Sequence, residues 1–185
     1  MKHRLFLAID VPSSPIIELQ SRLEKLGLPI SWEKPEKLHL TLNFIGRVSS
    51  DQLGGVSRVI KSAIYQFNKL TVSLPFLETL YQRHDQTLLY LAAAAPDLVP
   101  LQRAVCAGLD SIKFPQPRRF LPHVTIGKLK RTDPTTTKRV IDIMSNFDYQ
   151  PVSSFEVDHL TLYESLLSSK GSTYQKIANF RLSTP

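Results

Sequence analysis

The stretch KLHLTLNFIG, Lys37 to Gly46, alternates polar and apolar residues at a period of two, the pattern of a β-strand with one buried and one open face. Its open side carries a histidine and a threonine two residues apart, His39 and Thr41. The same pair returns in PHVTIG, Pro122 to Gly127, and in DHLTLY, Asp158 to Tyr163. Five histidines and twelve threonines in 185 residues would give about 0.3 such pairs by composition (5 × 12/185), against three found. Half-polar strands argue for antiparallel sheets with one open face rather than a buried parallel sheet, so the expected class is α+β.

Outward from this stretch, periodicity predicts a buried strand at Arg4 to Ile9. A helix follows from Ser13 or Ser14 and Pro15 to about Leu26, with apolar residues at Ile16, Leu19 and Leu23. Ser49 to Lys69 reads as a long helix after the strand Lys37 to Ile45. Strands are expected at Leu70 to Phe76 and Thr87 to Ala93, then a helix from Pro96 to about Ile112. The turn FPQPRRFLP leads into the strand around His123. A helix over Pro134 to Phe147 precedes closing strands at Val152 to Tyr163 and Thr173 to Phe180, separated by SSKGS. His39 and His123 lie 84 residues apart (123 − 39), close to half the chain, which suggests two similar lobes within residues 1–185 rather than separate domains.

Lys and Arg outnumber Asp and Glu by 23 to 16, a formal charge of +7 that suits an anionic partner such as nucleic acid. No stretch approaches the roughly 18 apolar residues of a membrane span, so no membrane partner is expected. The only cysteine, Cys106, cannot form an intramolecular disulfide; it sits at helical spacing with Leu101, Val105 and Leu109 and fits the core of a cytoplasmic protein. A monomer is the expected state.

Alternation sorts the three pairs. His39, Thr41 and Asn43 share one side of their strand, opposite Leu38, Leu40, Leu42 and Phe44. His123, Thr125 and Gly127 approximately repeat that arrangement, with Pro122 letting the strand begin at the histidine. His159 and Thr161 instead fall in phase with Phe155 and Val157, so neither side is cleanly polar. Five bases and no acid lie between Arg118 and Arg131, whereas three acids and no base lie between Pro151 and Ser169. An anionic substrate is drawn to the second pair and repelled by the third. Pairs one and two therefore form the expected site, and His159 is structural.

Two histidines can act as base and acid at neutral pH, as concerted phosphodiester chemistry requires. A threonine hydroxyl two residues away donates to a phosphate oxygen without adding charge. One of the two is then expected to take a proton and the other to give one. The sequence has no H-E-x-x-H, no clustered metal ligands, no Walker loop and no G-x-G-x-x-G, and no cofactor or metal is expected.

These residues resemble the 2H phosphoesterase superfamily, named for two H-x-T/S-x motifs, here His39-Leu40-Thr41-Leu42 and His123-Val124-Thr125-Ile126. The closer likeness is to the LigT-like RNA 2',3'-cyclic phosphodiesterases. It runs through RLFLAID, the frame W-x-x-P-E-K around the first motif, R-R-F-L-P around the second, and LTLYESLLSSKGSTYQKIANF at the end. The resemblance implies two pseudo-symmetric lobes whose antiparallel sheets face a central cleft, with helices outside. It implies metal-independent opening of an RNA-terminal 2',3'-cyclic phosphate to a 2'-phosphomonoester, and, as assigned to some members, RNA 2'-5' ligation. These enzymes often carry arginine five residues after the second motif histidine. This chain has Lys128 there, which keeps the charge but loses the planar fork, so Arg118 or Arg131 is expected to share the phosphate or RNA contact. Phe44 matches an aromatic position that contacts the nucleotide, although simple alternation buries it unless the strand bulges before Gly46. Trp32 and Tyr90 fit the core as well as a stacking platform. The alternatives are a nucleotide or 2'-5' oligonucleotide phosphodiesterase, and an RNA-binding module without turnover.

Overall fold

The computed structural model describes residues 1–82, 86–116, 119–129, 133–169 and 171–183, the side chains of 81, 82 and 86 excepted. Its strands are β1 (Lys2–Asp10), β2 (Ile30–Trp32), β3 (His39–Ser49), β4 (Leu70–Gln82), β5 (Gln86–Ala94), β6 (His123–Leu129), β7 (Val152–Val157), β8 (His159–Ser168) and β9 (Gly171–Arg181). Between them lie helices α1 (Ser13–Glu24), α2 (Leu53–Ile64), α3 (Leu98–Ser111) and α4 (Pro134–Ser145), with a 3-10 turn at Pro35–Lys37.

The strands run in the order β7-β4-β5-β6-β3-β1-β8-β9, with β2 added alongside β6, and every named pair is antiparallel. Two four-stranded halves meet where β3 and β6 pair, through Leu40 and Val124. The halves correspond: β1-α1-β3 in one is matched by β5-α3-β6 in the other, each placing an HxT strand at the centre. Besides the short excursion of β2 to the edge of β6, the chain crosses between them twice. After α2 it enters the second half as β4, and after β7 it returns to the first as β8.

The helices carry their apolar stripes to one face of this sheet. Ile16, Leu19 and Leu23 of α1, Val56 and Ile60 of α2, and Leu101, Val105 and Leu109 of α3 are buried with Leu7, Ile9, Leu40, Leu42, Val124 and Ile126 from the strands. The other face stays open. The sheet curls around it, bringing Leu88 of β5 and Leu167 and Tyr174 of the β8–β9 hairpin to one cleft. No helix among the described residues is long and apolar enough to cross a membrane.

Two expected elements are reshaped by tertiary pairing. The helix predicted over Ser49 to Lys69 spans only Leu53–Ile64, because Ser49 still pairs with Lys2 and the residues after Ile64 are captured by the C-terminal segment. There Ser183 N–H donates to the Phe67 carbonyl, and Lys69 N–H to that of Ser183. The single strand predicted over Val152 to Tyr163 divides at Asp158, with β7 pairing to β4 and β8 to β1 and β9. Phe155 and Val157 therefore lie on a different strand from His159, and alternation along one strand does not relate them.

Candidate active site

His39 and His123 are each the first residue of their strand. Leu40 and Val124 face each other in the pairing and point into the core, fully buried. The antiparallel sense then sets His39 across from Thr125, and Thr41 across from His123, on the open face. All four line a cleft of about 460 Å³.

The two imidazoles are held identically. His39 Nδ1 lies 2.7 Å from the carbonyl of Lys37, and His123 Nδ1 lies 2.7 Å from the carbonyl of Leu121. In each case the partner stands two residues upstream. A carbonyl only accepts, so Nδ1 must carry the hydrogen and donate it. That fixes the tautomer and leaves Nε2 of each ring for the cleft. Such a nitrogen takes a proton when the ring is neutral and gives one when it is charged.

The surroundings of the rings differ. His39 packs against Phe6, with centroids 5.0 Å apart, and meets the edge of Tyr174 at 5.3 Å. Burial pushes its pKa below the ordinary histidine value; the Lys37 carbonyl, Glu33 and Asp10 oppose that shift and a charge on His123 adds to it. His123 meets Tyr90 edge-on at 5.4 Å. Tyr90 is itself buried and donates its hydroxyl to Glu78; burial and that carboxylate push its pKa up to about 12, so it stays a neutral phenol. Tyr90, paired with Thr125, is thus buried on the His123 side of the sheet and not in the helix-side core, whereas Trp32 packs partly buried against that core.

Cations reach the cleft from three elements: Arg4 from β1, Lys37 from the 3-10 turn and Lys128 from β6. Lys128 occupies the expected place but is not free, for its Nζ lies 2.7 Å from Glu33 Oε1. Arg4 and Lys37 form no ion pair with a described residue. Arg118 and Arg131 lie outside the described residues. Glu33, Arg4 and Tyr174 were not singled out by sequence reasoning. Glu33 follows the tryptophan of W-x-x-P-E-K, Arg4 opens RLFLAID and Tyr174 stands in the closing segment, so the signal was the framing of the motifs rather than their spacing. Among the described residues, no group of three His, Cys, Asp or Glu side chains is placed to hold a metal ion.

The expected faces of β3 change halfway along the strand. Ala8 pairs with Thr41 but Leu7 with Asn43, and Phe6 pairs with Phe44 but Leu5 with Gly46, so Leu42 and Ile45 are extra residues. The first bulge inverts the alternation. Asn43, expected beside His39 and Thr41, is 1% exposed; its Nδ2 donates to Gln116 Oε1 at 3.1 Å and to Cys106 Sγ at 3.2 Å. Phe44, which alternation would bury, is 66% exposed and lines the cleft.

His159 stands apart from the cleft lining. Its Nδ1 is 2.5 Å from Asp158 Oδ1 and its Nε2 is 3.7 Å from Asp10 Oδ2. Thr161 is buried and its hydroxyl is within hydrogen-bond distance of both Asp10 and Asn179. Asp10 also accepts from Tyr163 at 2.5 Å and from Lys176 at 2.6 Å. Burial pushes the Asp10 carboxyl up, but Lys176, Tyr163 and His159 together hold it below the usual range. The third pair thus belongs to a satisfied polar cluster, and Lys176 of β9 supplies a base that its own segment lacks.

The model of the 2'-5' RNA ligase superfamily matches residues 34–168, nearly three-quarters of the chain and both HxT strands. The chain belongs to that superfamily. Among its relatives, the RNA 2',3'-cyclic phosphodiesterase of Methanocaldococcus jannaschii is 27% identical over 177 residues, covering 94% of this chain and 98% of its own. The protein of the same name from Thermotoga maritima is 27% identical, covering 93% and 91%. Two solved structures share the fold. TT0787 of Thermus thermophilus superposes with a TM-score of 0.78 at 21% identity, covering 98% of each chain. E. coli LigT complexed with 3'-AMP gives 0.77 at 22% identity, covering 100% of each.

Proposed function

We propose that this chain opens the 2',3'-cyclic phosphate at an RNA end to a 2'-phosphomonoester, without a metal, with His39 and His123 as the proton-transferring pair. The observation that carries the reading is the matched tethering of the two rings: each gives Nδ1–H to a backbone carbonyl and presents Nε2 to one cleft. The names of the full-length relatives support the substrate class.

In this mechanism His123 Nε2 takes a proton as a water oxygen bonds to phosphorus. The bond from phosphorus to the ribose 3' oxygen breaks, and His39 Nε2–H gives that oxygen its proton. Thr41 and Thr125 donate their hydroxyls to the nonbridging oxygens, and Lys128, Lys37 and Arg4 balance the charge. In 2'-5' ligation the 5'-hydroxyl of a second RNA takes the place of water. Burial of His39 disfavours its charged form in the free protein, and a bound phosphate anion restores the proton it has to give. Phe44, with its exposed ring at the cleft, contacts the terminal nucleotide. Both histidines come from one chain and lie across one strand pair, which supports one domain of two intertwined lobes over residues 1–185; the reading takes it to act as a monomer in the cytoplasm.

The test is incubation in EDTA of a short RNA ending in a 2',3'-cyclic phosphate, with 2'- and 3'-phosphate products resolved. The reading requires the 2'-phosphate to accumulate. Exclusive 3'-phosphate would reject the assigned direction of ring opening, and no turnover would reject the reading in favour of another 2'-linked phosphodiester or of binding alone.

A further inference from the structure

Lys128 is the cation nearest the second motif, yet it is paired with a carboxylate that faces the same cleft. Glu33 reaches this place because β2 lies tight against β6: Trp32 pairs with Gly127, where an added Cβ would come within 2.8 Å of Ile30 Cγ2 and 3.0 Å of Trp32 Cε3. One residue on, Glu33 N–H donates to the Ile126 carbonyl at 2.9 Å, and Gln20 Nε2 bridges the carbonyls of Glu33 and Ile126 at 2.9 and 2.8 Å. The backbone is therefore fixed, and the carboxylate, with only 15% of its side chain exposed, has Lys128 as its ion-pair partner. Besides Lys128, the charged or titratable groups lining the cleft with it among the described residues are Arg4 on β1, Lys37 on the 3-10 turn, His39 on β3, His123 on β6 and Tyr174 on β9.

A negative charge fixed inside a phosphate site weakens the binding of every phosphate, but not equally. The repulsion scales with the charge on the ligand. A cyclic phosphodiester carries one charge at any pH above its first ionisation; a phosphomonoester approaches two above its second, near about 6. Hydrolysis converts the first into the second.

We propose, resting on the reading of the cleft as a cyclic phosphodiesterase site, that Glu33 is a specificity-determining group that lets the cleft hold the singly charged cyclic ester and expel the doubly charged 2'-phosphomonoester. Through its own charge it sets which phosphate leaves.

The test is titration calorimetry of the whole chain with adenosine 2'-monophosphate at pH 5, where the ligand is largely a monoanion, and at pH 8, where it is a dianion. Glu33→Gln keeps the shape and removes the charge. Relative to wild type it is expected to tighten the dianion about tenfold and the monoanion only about threefold, as the product of charges dictates. Equal gains at the two pH values, or none, with an unchanged melting temperature, would overturn the proposal. Repeating the comparison in a Lys128→Met background separates two causes. A surviving selective gain assigns the effect to Glu33's own charge; its loss assigns it to the freed lysine and also overturns the proposal. Binding is read without turnover, so failure of the cyclic phosphodiesterase reading would appear as an inactive wild type and not as a change in these ratios.

Discussion

At the scale of the residue, the proposed mechanism turns on which ring nitrogen of each histidine is free. Nδ1 of both is committed to a carbonyl two residues upstream, so substitution by glutamine or asparagine would not reproduce both the tether and the proton transfer. The pH dependence follows with a definite sign. With His39 as the acid, kcat/KM depends on free His39 keeping its proton, and burial moves the loss of that proton below the ordinary histidine value of 6.5. A bound phosphate anion pulls the proton affinity back up, so the alkaline limb of kcat lies at higher pH than that of kcat/KM. Bell-shaped profiles of both parameters from pH 4 to 9 would show it, and coincident or reversed limbs would remove His39 from the acid role. That His39 and Thr41, and His123 and Thr125, share a face was legible in the sequence because residues two apart on a strand point to one side. Glu33 was not, since nothing in its spacing from either motif says that β2 brings it beside Lys128.

At the scale of the element, β3 shows how two extra residues redirect a strand. Its first half follows simple alternation, and the bulge at Leu42 then turns Asn43 inward and Phe44 out to the cleft. Alternation has no means of registering an inserted residue, because Leu42 and Asn43 both look ordinary in sequence; only the partner strand reveals the slip. The second bulge ends at Gly46, which has a φ of +85°, a conformation that costs a residue with a side chain about 1–3 kcal/mol. Gly46→Ala is expected to lower unfolding stability by an amount in that range in a denaturant titration, and an unchanged midpoint would show that the strand does not need this bend. Phe44→Ala is expected to raise KM for a cyclic-phosphate RNA about tenfold while the melting temperature moves little, because the ring already stands in solvent. The helix ends were legible only approximately, for a similar reason: α2 stops where the C-terminal segment claims its backbone, a partner more than a hundred residues away.

At the scale of the whole molecule, the sheet is two halves joined by the pairing of Leu40 with Val124, and the site sits on that seam. The α+β class and antiparallel strands with one open face were legible from half-polar strands, and two similar halves from the spacing of the two motifs, whereas the cleft between them was implied only by the family resemblance. The crossing of β4 and β8 between halves was not, since strand order depends on long-range pairing that local pattern does not encode. The cations facing the cleft come from β1, the 3-10 turn and β6, an arrangement that gathers charge scattered along the sequence. If Arg4 and Lys37 each meet an RNA phosphate, replacing both with methionine should flatten the slope of log affinity against log salt by about 1.4 for single-stranded RNA (2 × 0.7). A slope unchanged in that double variant would place the RNA elsewhere.

The two-histidine mechanism is tested most directly by the single-turnover rate on an RNA 2',3'-cyclic phosphate for His39→Ala, His123→Ala and His159→Ala, each checked for folding by thermal melting. The expected result is a loss of at least about a hundredfold for His39→Ala and for His123→Ala, the lower end of what a positioned acid or base contributes, and a rate within about threefold of wild type for His159→Ala. Comparable losses in all three, or full activity in either of the first two, would contradict it.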